Sequence, residues 1–170
     1  MSAPRQYPSI ARYHSGPFLI AAILQDPGTI HGNQSGATRT RELGVLNPDP
    51  TAALCRLALE TNGIPLSAYL PLNAIPWFDA PAHRSNDMLR EGAAHNRNLI
   101  LRHEVELVLL LGGLAHRSAQ FLNLPADITV RHLPHPGRLG LIHYRQNGQR
   151  IGAAAARHRL IEGFHLPEGK

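Results

Sequence analysis

Apolar residues in this chain gather into short unbroken runs of strand length. Residues 17–24, Pro-Phe-Leu-Ile-Ala-Ala-Ile-Leu, end at the turn-forming Asp26-Pro27-Gly28. Such a run predicts a parallel strand buried on both faces and leading into a loop. Residues 68–74 predict a second strand, and Pro71 inside it marks a sheet edge because proline cannot donate to a second ladder. Residues 105–111, Val-Glu-Leu-Val-Leu-Leu-Leu, form the clearest strand and stop at Gly112-Gly113. Residues 128–133 predict a fourth, ended by Pro134.

Helical signals alternate with these strands. Asp49 is placed to cap a helix, with Pro50 at its first position and Gly63 closing it. Leu54, Leu57 and Ala58 share one face of that helix. Ser85 or Asn86 caps a second helix reaching Arg102; a short third covers 115–122 and a last covers 151–163. Residues 25–47 are rich in Gly, Thr, Asn and Ser without periodicity and predict a long functional loop. Strand–helix alternation of this kind predicts a single α/β domain over 1–170, three-layered, with a four-stranded parallel sheet.

Composition narrows the function. The chain has 170 residues, which suits one domain, and 43% hydrophobic content, which supports a real core. With 17% charged residues, disorder is not expected. No stretch reaches the ~20 apolar residues of a membrane span, and residues 1–8 lack the apolar core of a signal peptide, so a cytoplasmic protein with no membrane partner is expected. Cys55 is the only cysteine, which excludes an internal disulfide and a four-cysteine cluster. A net charge of +5, with eleven histidines besides, favours a polyanion such as nucleic acid. Aromatic residues are 5% of the chain, too few for a broad single-strand stacking platform.

Ligands of open parallel sheets bind beyond the carboxyl ends of the strands. Those ends supply a carboxylate at Asp26, an amide at Asn73 and an imidazole at His135. An amide reads a nucleobase edge with one donor and one acceptor. An imidazole donates to an oxygen gaining charge. A carboxylate stabilises a sugar cation and orients water. Plainer roles stand beside these: Asp-Pro-Gly is an ordinary turn, Asn73 can cap its loop, and His135 between prolines can sit on the surface. His132 and His135 are spaced like metal ligands, but no carboxylate or cysteine lies suitably close, so no metal is expected. Arg145, Arg150, Arg157 and Arg159 read as a solvated face, and Trp77 and Phe78 as core or rim residues.

The chain resembles the uracil-DNA glycosylase superfamily over about residues 18–161. Ile23-Leu24-Gln25-Asp26-Pro27-Gly28 resembles its water-activating motif. Pro71-Leu72-Asn73-Ala74-Ile75-Pro76-Trp77 resembles the strand whose asparagine reads uracil, and Leu133-Pro134-His135-Pro136-Gly137-Arg138-Leu139 the final histidine motif. Asp49-Pro50-Thr51-Ala52 and Leu109-Leu110-Leu111-Gly112-Gly113-Leu114-Ala115 fit the spacing between them. The resemblance implies a metal-independent, cofactor-free, monomeric enzyme that hydrolyses the N-glycosidic bond of a flipped-out uracil in DNA. Asp26 and His135 would be catalytic. Gln25, Pro27, Gly28, Leu46 and Asn73 would bind the base, with Val45 or Leu46 covering its face where the family places a phenylalanine. Gly137, through its N–H, and Arg138 would meet phosphate, and Leu139 would wedge into the base stack. The chain departs from the family pattern at Gly28, where many members carry tyrosine, and at Gly137-Arg138, where Ser-Pro is usual. Two alternatives remain: the same fold as a nucleic-acid-binding module with weak or lost catalysis, and a glycosylase for another base, such as hypoxanthine or mismatched thymine.

Overall fold

The computed structural model describes residues 4–30 and 36–168. In chain order the elements are β1 (Ser9–Ile10), β2 (Ile20–Leu24), α1 (Gly36–Thr40), β3 (Glu42–Leu43), α2 (Pro50–Thr61), β4 (Tyr69–Asn73), α3 (Asn86–Arg102), β5 (Leu107–Leu111), α4 (Gly113–Leu122), β6 (Thr129–Leu133), α5 (Arg138–His143), β7 (Arg145–Gln146), β8 (Gln149–Arg150) and α6 (Ala153–Glu162). The main sheet has the order β4-β2-β5-β6 and is parallel throughout. The fold is therefore α/β with a four-stranded parallel sheet.

Period-2 alternation sends each strand's side chains to two separate cores. Ala21, Ile23, Leu70, Leu72, Val108 and Leu110 pack on one face with Leu89, Ala93 and Ile100 of α3 and Ala115 and Leu122 of α4. Ile20, Ala22, Tyr69, Leu107, Leu109, Leu111 and Leu133 pack on the other, against Leu54, Cys55, Ala58 and Leu59 of α2 and Leu160 of α6. All five residues of β5 are buried, which explains its unbroken apolar run. Truncating one of them, Leu109→Ala for example, removes transfer energy and opens a cavity, at a cost of about 2–5 kcal/mol. β4 pairs with β2 alone, so the N–H that Pro71 lacks is missing from an edge. Asp49 caps α2 by accepting the Ala52 N–H at 2.8 Å, and Ser85 caps α3 by accepting that of Met88 at 3.3 Å.

The expected loop at 25–47 carries structure: α1 and β3 lie within it, and β3 pairs in parallel with β1. Residues 31–35 of that loop lie outside the described residues, as do 1–3 of the N-terminal segment. Residues 134–150, between the fourth expected strand and the last expected helix, hold the six-residue α5 and an antiparallel hairpin of β7 and β8. Among the described residues no helix is long and apolar enough to cross a membrane.

Candidate active site

Parallel register brings the strand ends to one edge of the sheet: Leu24 sits opposite Asn73, and Leu111 opposite Leu133. Beyond them opens a cavity of about 340 Å³, within the range of roughly 300–1,000 Å³ usual for small-molecule sites. Gln25, Asp26, Pro27, Asn73 and His135 all line it. The three chemically distinct groups expected from the sequence therefore share one pocket.

Asn73 is 5% exposed, lines the cavity and forms no side-chain hydrogen bond with a described residue, and its amide, unlike the buried and unpartnered Asn96 Oδ1, is not sealed from solvent. Its backbone is fixed from several sides. The Asn96 side-chain amide donates to the Asn73 carbonyl at 2.8 Å, and the Ala74 N–H donates to Leu24 O at 3.0 Å. Helix α3 approaches so closely that a Cβ on Gly92 would meet the Ala74 carbonyl oxygen at 2.0 Å. An unpaired amide that opens into the cavity from a held backbone offers a ligand one donor and one acceptor at a fixed position.

His135 is oriented by its neighbours. The Gly137 N–H donates to Nδ1 at 2.9 Å, so in the neutral ring the proton sits on Nε2, which is left as the donor. Burial holds the imidazole below the usual histidine range, opposed by the negative charge of Asp49. Glycines make room for it: a Cβ on Gly112 would stand 2.7 Å from His135 Cβ, and one on Gly140 2.5 Å from the same atom. Asp49 itself is committed, accepting the Ala52 N–H and, at 3.2 Å, the Gly36 N–H that ties α1 to α2.

Asp26 is held differently from the sequence expectation. Its Oδ1 accepts the Gly28 N–H at 3.0 Å, and its Oδ2 pairs with Arg84, at 2.8 Å from Nη2 and 3.3 Å from Nε. Arg84 comes from the loop before α3 and also donates to the carbonyls of Ala80 and Pro81. The carboxylate side chain is 9% exposed and its guanidinium partner 21%, so the pair is largely shielded from water.

The cavity's far wall is built by Leu43, Gly44 and Val45. The Val45 N–H reaches His14 Nε2 at 3.4 Å, and the Leu46 N–H donates to Tyr13 Oη at 3.0 Å. A Cβ on Gly44 would stand 2.0 Å from that same hydroxyl, which requires glycine there. Tyr69 and Cys55 also line the pocket, and burial pushes the Cys55 thiol up to about 12, leaving it unreactive.

Several expected positions fall elsewhere. Gly28 does not line the cavity; with φ 86° it turns the chain and gives its N–H to Asp26. Leu46 points out, 49% exposed, and Val45, 2% exposed, takes the wall. The Gly137 N–H expected to meet phosphate is already used by His135. Arg138 is exposed and Leu139 is 68% exposed at the start of α5, outside the cavity. Among the described residues no three His, Cys, Asp or Glu side chains are placed to hold a metal ion. His132 instead lies beside His116, ring centroids 4.9 Å apart and planes tilted by 54°. Arg84 escaped sequence reasoning because it lies 58 residues from Asp26, in a segment without a motif.

No protein-family model matches the chain, and no curated protein sequence matches it.

Proposed function

We propose that the chain is a DNA glycosylase of the uracil-DNA glycosylase kind, hydrolysing the N-glycosidic bond of uracil or a related base in DNA for base excision repair. The observation that carries this reading is the convergence of Asp26, Asn73 and His135 on one cavity with the Asn73 amide unpaired. A base must leave the helix stack to reach such a pocket. There the Asn73 amide supplies one donor and one acceptor to the base edge. The glycosidic C–N bond breaks with its electron pair on the base. Nε2–H of neutral His135 donates to the base oxygen that gains charge, a contribution of the oxyanion-hole type. Asp26 stabilises the cationic sugar and orients the water whose oxygen adds to it; the proton that water releases balances the one taken up by the base anion, so the products are free base and an abasic sugar. The test is a panel of duplexes each carrying one modified base, incubated with the protein and probed for alkali-labile abasic sites. Cleavage of uracil above the other bases is expected; no abasic site with any base overturns the reading.

One observation favours a second reading, a nucleic-acid-binding module with weak or lost catalysis. A carboxylate already compensated by Arg84 offers less net charge to a developing sugar cation. Tight DNA binding without abasic sites would select this reading.

A further inference from the structure

The charge of the chain is not evenly spread. It has 17 basic and 12 acidic residues, yet residues 128–161 hold six arginines and no carboxylate. Everything outside that segment is therefore slightly acidic. None of the six arginines forms an ion pair with a described residue. Three are used internally: Arg131 donates to the Gly163 and His165 carbonyls, Arg159 to Tyr144 Oη, and Arg145 through Nη1 to the Gly148 carbonyl of its own hairpin turn at 2.7 Å, which leaves the rest of its guanidinium open to solvent. Arg138, Arg145, Arg150 and Arg157 are exposed.

Arg145 and Arg150 carry the argument furthest. They sit directly opposite one another in the β7–β8 hairpin, whose turn residues Asn147 (φ 50°) and Gly148 (φ 80°) both adopt positive φ. Like charges in a cross-strand pair are destabilising, and a lone two-stranded hairpin is marginal to begin with. Among the described residues no carboxylate pairs with either arginine, which points to an anion from outside the chain. The hairpin is also joined to the candidate active site. A groove of about 460 Å³ runs from His135 past His132, His143 and Tyr144 to Arg145, with no acidic lining residue. On the other side of α5, Arg138 and Arg157 flank a second groove beside Pro136. The exposed Leu139 lies on α5 itself, next to Arg138 in the chain.

We infer that the β7–β8 hairpin, with Arg138 and Arg157, is a backbone-binding clamp for duplex nucleic acid that grips phosphodiesters flanking the cavity mouth. The choice of a duplex as the flanking ligand rests on the glycosylase reading; the cationic clamp itself does not. Of the large exposed apolar side chains among the described residues, Tyr7, Leu46, Val130 and Leu139, Leu139 alone belongs to α5 or the hairpin, which is too little apolar surface beside the arginines to anchor in a lipid surface.

The test measures binding of an undamaged 20-base-pair duplex by fluorescence anisotropy from 50 to 200 mM salt, which needs no catalysis. Each phosphate neutralised contributes about 0.9 to the slope of log affinity against log salt. Arg145→Ala/Arg150→Ala should lower the slope by about 1.8, so that over this fourfold salt range its affinity changes about 12-fold less than that of the wild type. Arg145→Lys/Arg150→Lys keeps the charge and should restore the slope, which separates a charge effect from a damaged hairpin. An unchanged slope in the alanine variant overturns the clamp, as does a lysine variant as defective as the alanine one. Equal losses of binding to vesicles containing anionic phospholipid would also overturn it in favour of a membrane surface. Absence of base excision by the wild type, with the slope change intact, would refute the glycosylase reading and leave the clamp standing.

Discussion

Replacing Arg84 with methionine keeps an unbranched apolar stem and removes the guanidinium, leaving the Asp26 carboxylate, 9% exposed, with the Gly28 N–H as its remaining partner. Removing one member of a buried pair typically costs about 3–5 kcal/mol, because the other charge is stranded. Arg84 is 21% exposed, so water can enter where the guanidinium was, and the low end, about 3 kcal/mol, is expected. For a chain of this size that corresponds to a fall in Tm of roughly 6–12 °C. Asp26→Asn is milder, about 1–2 kcal/mol, because Arg84 retains the Ala80 and Pro81 carbonyls and partial exposure. In the double variant no charge is stranded, so its loss should be smaller than the sum of the single losses by about 2 kcal/mol. Urea unfolding of the four proteins closes the cycle. Additivity within about 0.5 kcal/mol would show that the two side chains do not interact and would refute this description of the site.

Three further outcomes follow from the geometry. Burial holds both His14 and His135 below the usual histidine value of 6.5, so the unfolded chain binds more protons in acid than the folded one. Stability should be full above pH 6.5 and decline as pH falls toward the folded values; a calorimetric Tm that rises on acidification from pH 7.5 to 5 would contradict this. Leu139→Ala, at a position 68% exposed, should leave stability within about 0.5 kcal/mol while slowing excision from duplex far more than from single strands; equal slowing would remove its role as a wedge. Gly140→Ala drives a Cβ to 2.5 Å from His135 Cβ and should impair both stability and excision, whereas Gly113→Ala meets nothing within 4 Å and should impair neither; equal effects, measured by Tm and rate, would show that the glycine does not seat the imidazole.

The four strands and the four longer helices were legible because each buries enough surface to leave a pattern. Residues 107–111 carry an apolar run that only a two-faced burial explains, and Asp49-Pro50 and Ser85 announce their helices through capping chemistry. The two-residue strands and the five- and six-residue helices bury too little surface to leave such a pattern. Helix α1 begins at a glycine and α5 contains Gly140, both poor helix formers, and β1 and β3 join through only two residue pairs. The hairpin did carry a signal, Asn147-Gly148, but its strands are polar and exposed, so no alternation of apolar residues framed the turn. At the site, Asp26, Asn73 and His135 were legible because parallel strands end together on one edge. What surrounds them was not. Arg84, Asn96 and Gly140 act through contacts that only the folded chain creates, and a backbone N–H such as that of Gly137 can be assigned to a partner only once the loop geometry is known.

The most direct measurement of the central claim is single-turnover excision of uracil from a duplex oligonucleotide by the wild type, Asp26→Asn and His135→Ala, with each variant checked for folding by circular dichroism. The wild type should leave abasic sites, and each folded variant should be slower by ~100-fold or more, the scale for losing one acid–base or oxyanion contact. Folded variants that excise uracil at the wild-type rate would contradict the assignment of Asp26 and His135 to the chemistry.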